Sequence, residues 1–291
     1  MTAFSAWSRL VRRLPGPAAR FLLERIMVRG LMLGWPPNRR AARGNLRRVL
    51  AHAGRSCRDD DVDPLLDESL RLFARFLLLM AAHPVEVEAA RRTLDFPMME
   101  RLKSLGAEKR GVIIATPNYG LVAHFLWALV EGGVPLSLPI LNREFLAHFP
   151  PGIYSAIKTV GASATAALEA LERGEIVATI SDINFLPRRI TTDFFGAPAP
   201  IGYAPARLAL SSGAPILPVY ATANGDRGVV ECDEPIRPQG KTLTELHAAV
   251  AASMQRFIAR RPGQWMVYED FWDLRAMDRK YSLARRLARW S

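Results

Sequence analysis

Residues 111–130 read GVIIATPNYGLVAHFLWALV, and the change of character inside this stretch sets the fold. GVIIAT is a short β-rich run without polar alternation, PNYG is a turn, and LVAHFLWALV is helix-like. A strand that is apolar on both faces needs cover on both sides. Runs of the same kind return at 134–140 (VPLSLPI), 175–182 (EIVATISD), 214–222 (APILPVYAT) and 228–236 (GVVECDEPI), with helix-like stretches between them. This alternation predicts an α/β fold with a mixed, largely parallel central sheet and helices on both of its faces. In such sheets the reacting groups gather at the C-terminal ends of the strands. The first strong strand ends at Thr116, so the turn that follows it is the first place to look for chemistry.

Outward from the sheet, Leu66, Leu70, Phe73 and Leu77 recur at steps of four, three and four, predicting a helix that runs through FARFLLLMAA to about His83 and Pro84. A last long helix is expected from Thr242 to about Arg260, stopped by Pro262 and Gly263. The Pro- and Arg-rich stretch 34–44 reads as a boundary. The expected division is a basic docking segment over 1–40, an α/β domain over 41–274 and a basic tail over 275–291.

The chain has 291 residues, 49% of them hydrophobic and 23% charged, enough to bury one large core. Arginines interrupt every apolar run near the N-terminus before it reaches the roughly 18 to 20 residues needed to span a bilayer. The opening residues lack a secretory h-region. Cys57 and Cys232 stand far apart with no metal-type spacing, which suits a reducing compartment and implies neither a disulfide framework nor a metal. No cofactor is implied.

The net charge of +11 is unevenly placed. Residues 1–50 carry +10 and residues 275–291 carry +5, which leaves −4 for the middle. Basic ends on a mildly acidic body fit an anionic surface, and the interleaving points to which one. Between Ala18 and Trp35 arginines alternate with Phe21, Leu22, Leu23, Ile26, Met27 and Val28, a pattern of large apolar groups beside snorkelling cations that suits a helix in a lipid headgroup layer. The tail YSLARRLARW repeats it. The alternative is that both helices pack on the body with solvated arginines. A nucleic-acid arm would show Lys, Ser, Gly and stacking rings, so nucleic acid is not expected as a partner.

Five pieces taken together, in order and spacing, resemble a known family. They are ARGNLRRVL at 42–50, TPNYGLVAHF at 116–125, SDINFLPRR at 181–189, DFFGAPAP at 193–200 and RPGQWMVYEDFW at 261–272. The set is similar to the lauroyl and myristoyl late acyltransferases of lipid A biosynthesis and their relatives that acylate lysophospholipids and glycolipids, over roughly residues 10 to 275. The resemblance implies a glycerolipid-acyltransferase-like fold at the cytoplasmic face of the bacterial inner membrane. It also implies acyl carrier protein or acyl-CoA as donor and a lipid-like hydroxyl as acceptor. In the family a His followed five positions later by Glu or Asp supplies the base and its orienting carboxylate. The matching residues here are Asn118 and Ala123. Asn118 cannot take a proton near neutral pH and Ala123 can orient nothing.

This leaves two expectations, an acyltransferase working without the usual pair or an inactive acyl-lipid-binding relative. An amine acceptor would need less base than an alcohol. His124 is the nearest replacement base, with helix packing as its other reading, while His52, His83 and His247 read as surface or helix-end residues. Asp182 keeps the first acid of the family's Asp-x-Asp stretch, though a strand end often carries Asp for turn reasons. Arg143, Arg188 and Arg189 match basic residues that face phosphate or donor in relatives, and they also read as solvated loop arginines. Phe194, Phe195 and Gly196 match the acceptor-side turn, where the rings can equally be core. At 268–271 acids stand where relatives have arginines, so the resemblance implies an acceptor without phosphate at that contact.

Overall fold

The computed structural model describes residues 3–28, 30, 36–92, 94–106, 111–138, 158–159, 164–182, 190–225 and 227–274. The N-terminal part is helical, with α1 (Ala3–Arg12), α2 (Gly16–Phe21), a π-helical turn over Leu22–Met27, α3 (Pro36–His52), α4 (Asp59–Met80) and α5 (Pro84–Arg92). Strands and helices then alternate: β1 (Leu94–Asp95), α6 (Met99–Gly106), β2 (Val112–Thr116), α7 (Val122–Glu131), β3 (Leu136–Leu138), β4 (Lys158–Thr159), α8 (Ala164–Glu172) and β5 (Ile176–Ile180). A hairpin of β6 (Thr192–Phe194) and β7 (Ala197–Ala199) comes next, and then α9 (Ala204–Ser212), β8 (Ile216–Asn224), β9 (Arg227–Cys232) and α10 (Leu243–Arg260).

Seven strands form one sheet in the order β1-β9-β8-β2-β5-β3-β4, and every pairing except β8 with β9 is parallel. All five apolar runs became strands of this sheet. The two-residue pleat sorts their side chains. Ile113, Ala115, Val177, Ile216 and Tyr220 pack with α8, α9 and α10, whereas Val112, Ile114, Ala178, Leu217 and Val219 pack with α4 to α7. Both faces are covered, as strands without polar alternation require.

The last helix starts where its residues dictate. Thr242 accepts from Glu245 N while the Glu245 carboxylate accepts from Thr242 N, a reciprocal cap typically worth about 1 kcal/mol. Leu246, Val250, Met254 and Phe257 then bury one face, at roughly 1.5–3 kcal/mol each.

A third apolar cluster lies among the first helices, where Val11, Ala19 and Leu23 meet Leu46, Leu50, Leu66, Leu70 and Leu78. The stretch expected to be a boundary is helical from Pro36, so α3 runs through residue 40 without a break. Two histidines also differ from expectation. His83 and His247 are buried, each with a ring nitrogen on a backbone carbonyl (Leu14 and Ile201), while His52 is exposed at the end of α3. Tertiary packing over helix ends hides residues that sequence position leaves open. Among the described residues no helix is long and apolar enough to cross a membrane.

Candidate active site

Three chain segments meet beyond the C-terminal ends of β2 and β5. Ser181 N donates to Thr116 O at 2.7 Å, and Gly202 N donates to Ser181 O at 2.7 Å, so residues 116–118, 181–182 and 201–203 lie side by side. A fourth segment closes the group, because Met266 N donates to Asn118 O and Gly120 N to Gln264 O, both at 2.8 Å. Gly120 is required here: its φ is +55°, and an added Cβ would stand 2.1 Å from Ala221 O. Gln264 acts as a substitute peptide for β8, accepting from Ala223 N at 2.8 Å and donating to Ala223 O at 2.7 Å.

At the centre is the carboxylate of Asp182. It accepts from Asn118 N and Asn118 Nδ2 at 3.0 Å each, and from Trp265 Nε1 at 3.0 Å. Asp182 and Trp265 are buried, and Asn118 is half-buried. Burial pushes the Asp182 carboxyl up from 3.8 to about 6, against the opposing pull of its donors, none of which carries a charge. Because a carboxylate only accepts, Asn118 turns Nδ2 toward it, and its Oδ1 has no hydrogen-bond partner among the described residues.

The nearest imidazole is engaged elsewhere. His124, in the first turn of α7, is buried with Nε2 2.8 Å from Glu86 Oε1. Arg75 Nε donates to the same oxygen at 2.7 Å, and Arg20 Nη2 lies 3.4 Å from Glu86 Oε2. Burial holds the His124 pKa below its ordinary value in spite of the Glu86 carboxylate. For Glu86 burial works upward, but the His124 and Arg75 bonds outweigh it and bring the carboxyl down to about 2. A His placed in this way is a packing and pairing group.

The other sequence candidates scatter. Ala123 is half-buried against the apolar cluster of α4 to α7. Arg143, Arg188 and Arg189 lie outside the described residues. Phe194 and Phe195 are buried core, and Phe195 and Gly196 form the two-residue turn of the β6–β7 hairpin with φ of +52° and +74°. Phe195 holds this left-handed backbone because its N–H donates to Gln255 Oε1 at 2.7 Å and its ring packs edge-on to Phe194 at 4.6 Å. The turn still reaches the centre through Trp265, whose ring sits 5.9 Å from that of Phe194. Asp270 has a local task, accepting from Trp272 N and Asp273 N at 3.2 Å. Among the described residues no group of His, Cys, Asp or Glu could hold a metal.

Two positions that hold this cluster together escaped the sequence reading. Trp265 comes just after the helix breakers Pro262 and Gly263, and a buried indole N–H needs an acceptor, which is the signal that could have singled it out. Asn45, inside ARGNLRRVL, donates to Val267 O and Glu269 O and accepts from Phe271 N, so it ties α3 to the segment carrying Trp265.

Residues 158–272 match the family model described as bacterial lipid A biosynthesis acyltransferase. This stretch resembles the lipid A acyltransferases. It contains Asp182, the β6–β7 hairpin and Trp265, and positions 118 and 123 lie before it. No curated protein matches the chain. The family match suggests acyl transfer to a lipid acceptor, with an acyl donor such as acyl carrier protein, in a family associated with the inner membrane.

Proposed function

We propose that this chain moves a fatty acyl group from acyl carrier protein or coenzyme A to an amine on a lipid-like acceptor, with Asn118 as the residue that positions the nucleophile. The observation that carries this reading is the Asn118–Asp182–Trp265 unit at the strand ends. Asp182 is buried beside Asn118 and orients it, and Asn118 is the half-buried member of the unit. Its Oδ1 accepts a hydrogen bond from the acceptor amine and aims the nitrogen lone pair at the thioester carbonyl. The N–C bond forms, the C–S bond breaks, and the proton lost by nitrogen leaves with the thiolate as thiol. A neutral amine is already nucleophilic, so this sequence needs no base at position 118. An alcohol would need one. Arg143, Arg188 and Arg189 are the donor-side contacts in this reading, and the β6–β7 turn borders the acceptor side.

The membrane part rests on exposure. Leu10, Phe21 and Ile26 are 61%, 61% and 53% exposed and stand among exposed Arg9, Arg12, Arg13 and Arg25. Exposed apolar side chains close in sequence to exposed arginines suit a bilayer surface at the cytoplasmic face.

The test is incubation of the purified chain with acyl-CoA or acyl carrier protein and a lipid extract, with products read by mass spectrometry. Amide products are expected, and esters alone would overturn the amine assignment. The second reading, an inactive acyl-lipid-binding relative, draws on the lack of a titrating group at position 118. Binding of acyl chains without any donor consumption would establish it.

A further inference from the structure

Glu86 is the carboxylate through which the N-terminal segment touches the helix that leaves the site. Its side chain is completely buried and is shared by three elements besides its own: Arg75 on α4, His124 on α7 and Arg20 on α2. The three contacts are unequal. Arg75 and His124 are buried and stand at 2.7 and 2.8 Å, whereas Arg20 is about a third exposed, stands at 3.4 Å, and has a buried Nε with no partner among the described residues. Arg20 is thus the loosely held cation. It precedes Phe21, one of the exposed apolar residues of the basic N-terminal helices.

At the other end of the contact, His124 lies in the first turn of α7. The chain just before that turn is Asn118 to Leu121, pinned by Gly120 N on Gln264 O and Leu121 N on Ala221 O. His124 is thus four residues of chain from Leu121 and Gly120 at most, and its contact with Glu86 borders the lead-in that carries Asn118. An anionic lipid phosphate competes with Glu86 for Arg20, because it offers a guanidinium more acceptors than one 3.4 Å contact does. When Arg20 leaves, Arg75 is the one cation still on Glu86, and the less compensated carboxylate polarises the His124 ring it is bonded to more strongly.

We infer that Glu86 couples docking on an anionic bilayer to the site, with Arg20 exchanging Glu86 for lipid phosphate and His124 passing the change to Asn118. The coupling rests on the membrane-docking reading above, and its test separates the two. The full chain is labelled with fluorotryptophan, and the Trp265 signal, assigned by its loss in Trp265→Phe, reports on the Asp182 cluster by fluorine NMR. Bicelles of phosphatidylcholine, alone or mixed with phosphatidylglycerol, are added, and binding is followed separately by co-sedimentation with vesicles of the same lipids.

The Trp265 signal is expected to shift with phosphatidylglycerol and not with phosphatidylcholine alone. In Arg20→Gln binding persists through the remaining arginines, but the signal no longer responds. Arg20→Lys, which keeps the exchangeable charge, retains the response. A bound wild-type protein whose Trp265 signal stays still overturns the coupling alone, as does an Arg20→Gln protein that responds like wild type or an Arg20→Lys protein that does not respond. A chain that binds neither lipid overturns the docking reading and the coupling together.

Discussion

Two buried carboxylates flank the same short piece of chain, and they have been driven in opposite directions. Asp182 holds Asn118, and burial raises it to about 6; Glu86 holds His124, and despite burial it falls to about 2. Desolvation pushes both upward, so the difference comes from the partners. Asp182 has an amide, a backbone N–H and an indole, all neutral, while Glu86 has the short His124 hydrogen bond together with the Arg75 guanidinium. Neutral donors moderate the cost of burying a charge and nearby cations reverse it. The consequence for chemistry is a separation of parts. The imidazole that could serve as a base belongs to the structural pair, and the strand-end site has an amide in that role.

Exchanging the parts should give the largest effect. Asn118→His puts an imidazole over Asp182, which becomes its orienting carboxylate. Transfer to an alcohol acceptor should rise about 10²- to 10⁴-fold, read as thiol release from acyl-CoA. The gain should vanish in Asn118→His/Asp182→Asn. An unchanged rate in the single variant would mean that Asp182 does not serve position 118.

Next in size is the structural pair. Glu86→Gln leaves Arg75 and His124 facing a neutral amide, and urea unfolding should show a loss of about 3–5 kcal/mol. A loss under about 1 kcal/mol would place the pair with surface ion pairs instead.

The opposite shifts also predict opposite pH dependences of about 3 kcal/mol each. Folded Asp182 holds its proton more tightly than the unfolded chain does. Its contribution is therefore full below about pH 3.8 and is lost as pH rises through about 6, a slope that Asp182→Asn should remove. Folded Glu86 releases its proton more readily, so its contribution is present above about pH 4.5 and is lost as pH falls through about 2; Glu86→Gln should abolish that slope. Unfolding midpoints across pH for the two variants check both signs, and identical profiles would refute the contrast.

The smallest expected effect concerns which carboxylate belongs to position 118. Adding Ala123→Glu to Asn118→His should give no further rate, and the buried side of α7 should lose roughly 1–3 kcal/mol because a carboxylate enters an apolar contact. A large rate gain would transfer the orienting role from Asp182 to position 123.

Much of the framework was legible because its signals are local. Five apolar runs without polar alternation marked the sheet strands and the cover on both faces, and Thr242 marked the start of α10 within one residue. The short pieces β1, β4 and the β6–β7 hairpin were not read as strands, since two or three residues carry too little periodicity. Position 118 was also legible, as the first turn after the first long strand. Its partner was not, because Asp182 is 64 positions away in the chain and comes alongside only where β5 lies parallel to β2.

The residue order by itself determined the α/β class, the strand-end location of the candidate site, the lack of a titrating side chain at Asn118 and the basic, apolar character of the N-terminal segment. Tertiary structure alone decided that His124 belongs to Glu86, that Asp182 and Trp265 belong to Asn118, and that His83 and His247 are buried. The division has a physical cause. Hydrophobic period and capping act over a few residues, whereas the charge of a buried group depends on which distant donors the sheet and helices bring within about 3 Å.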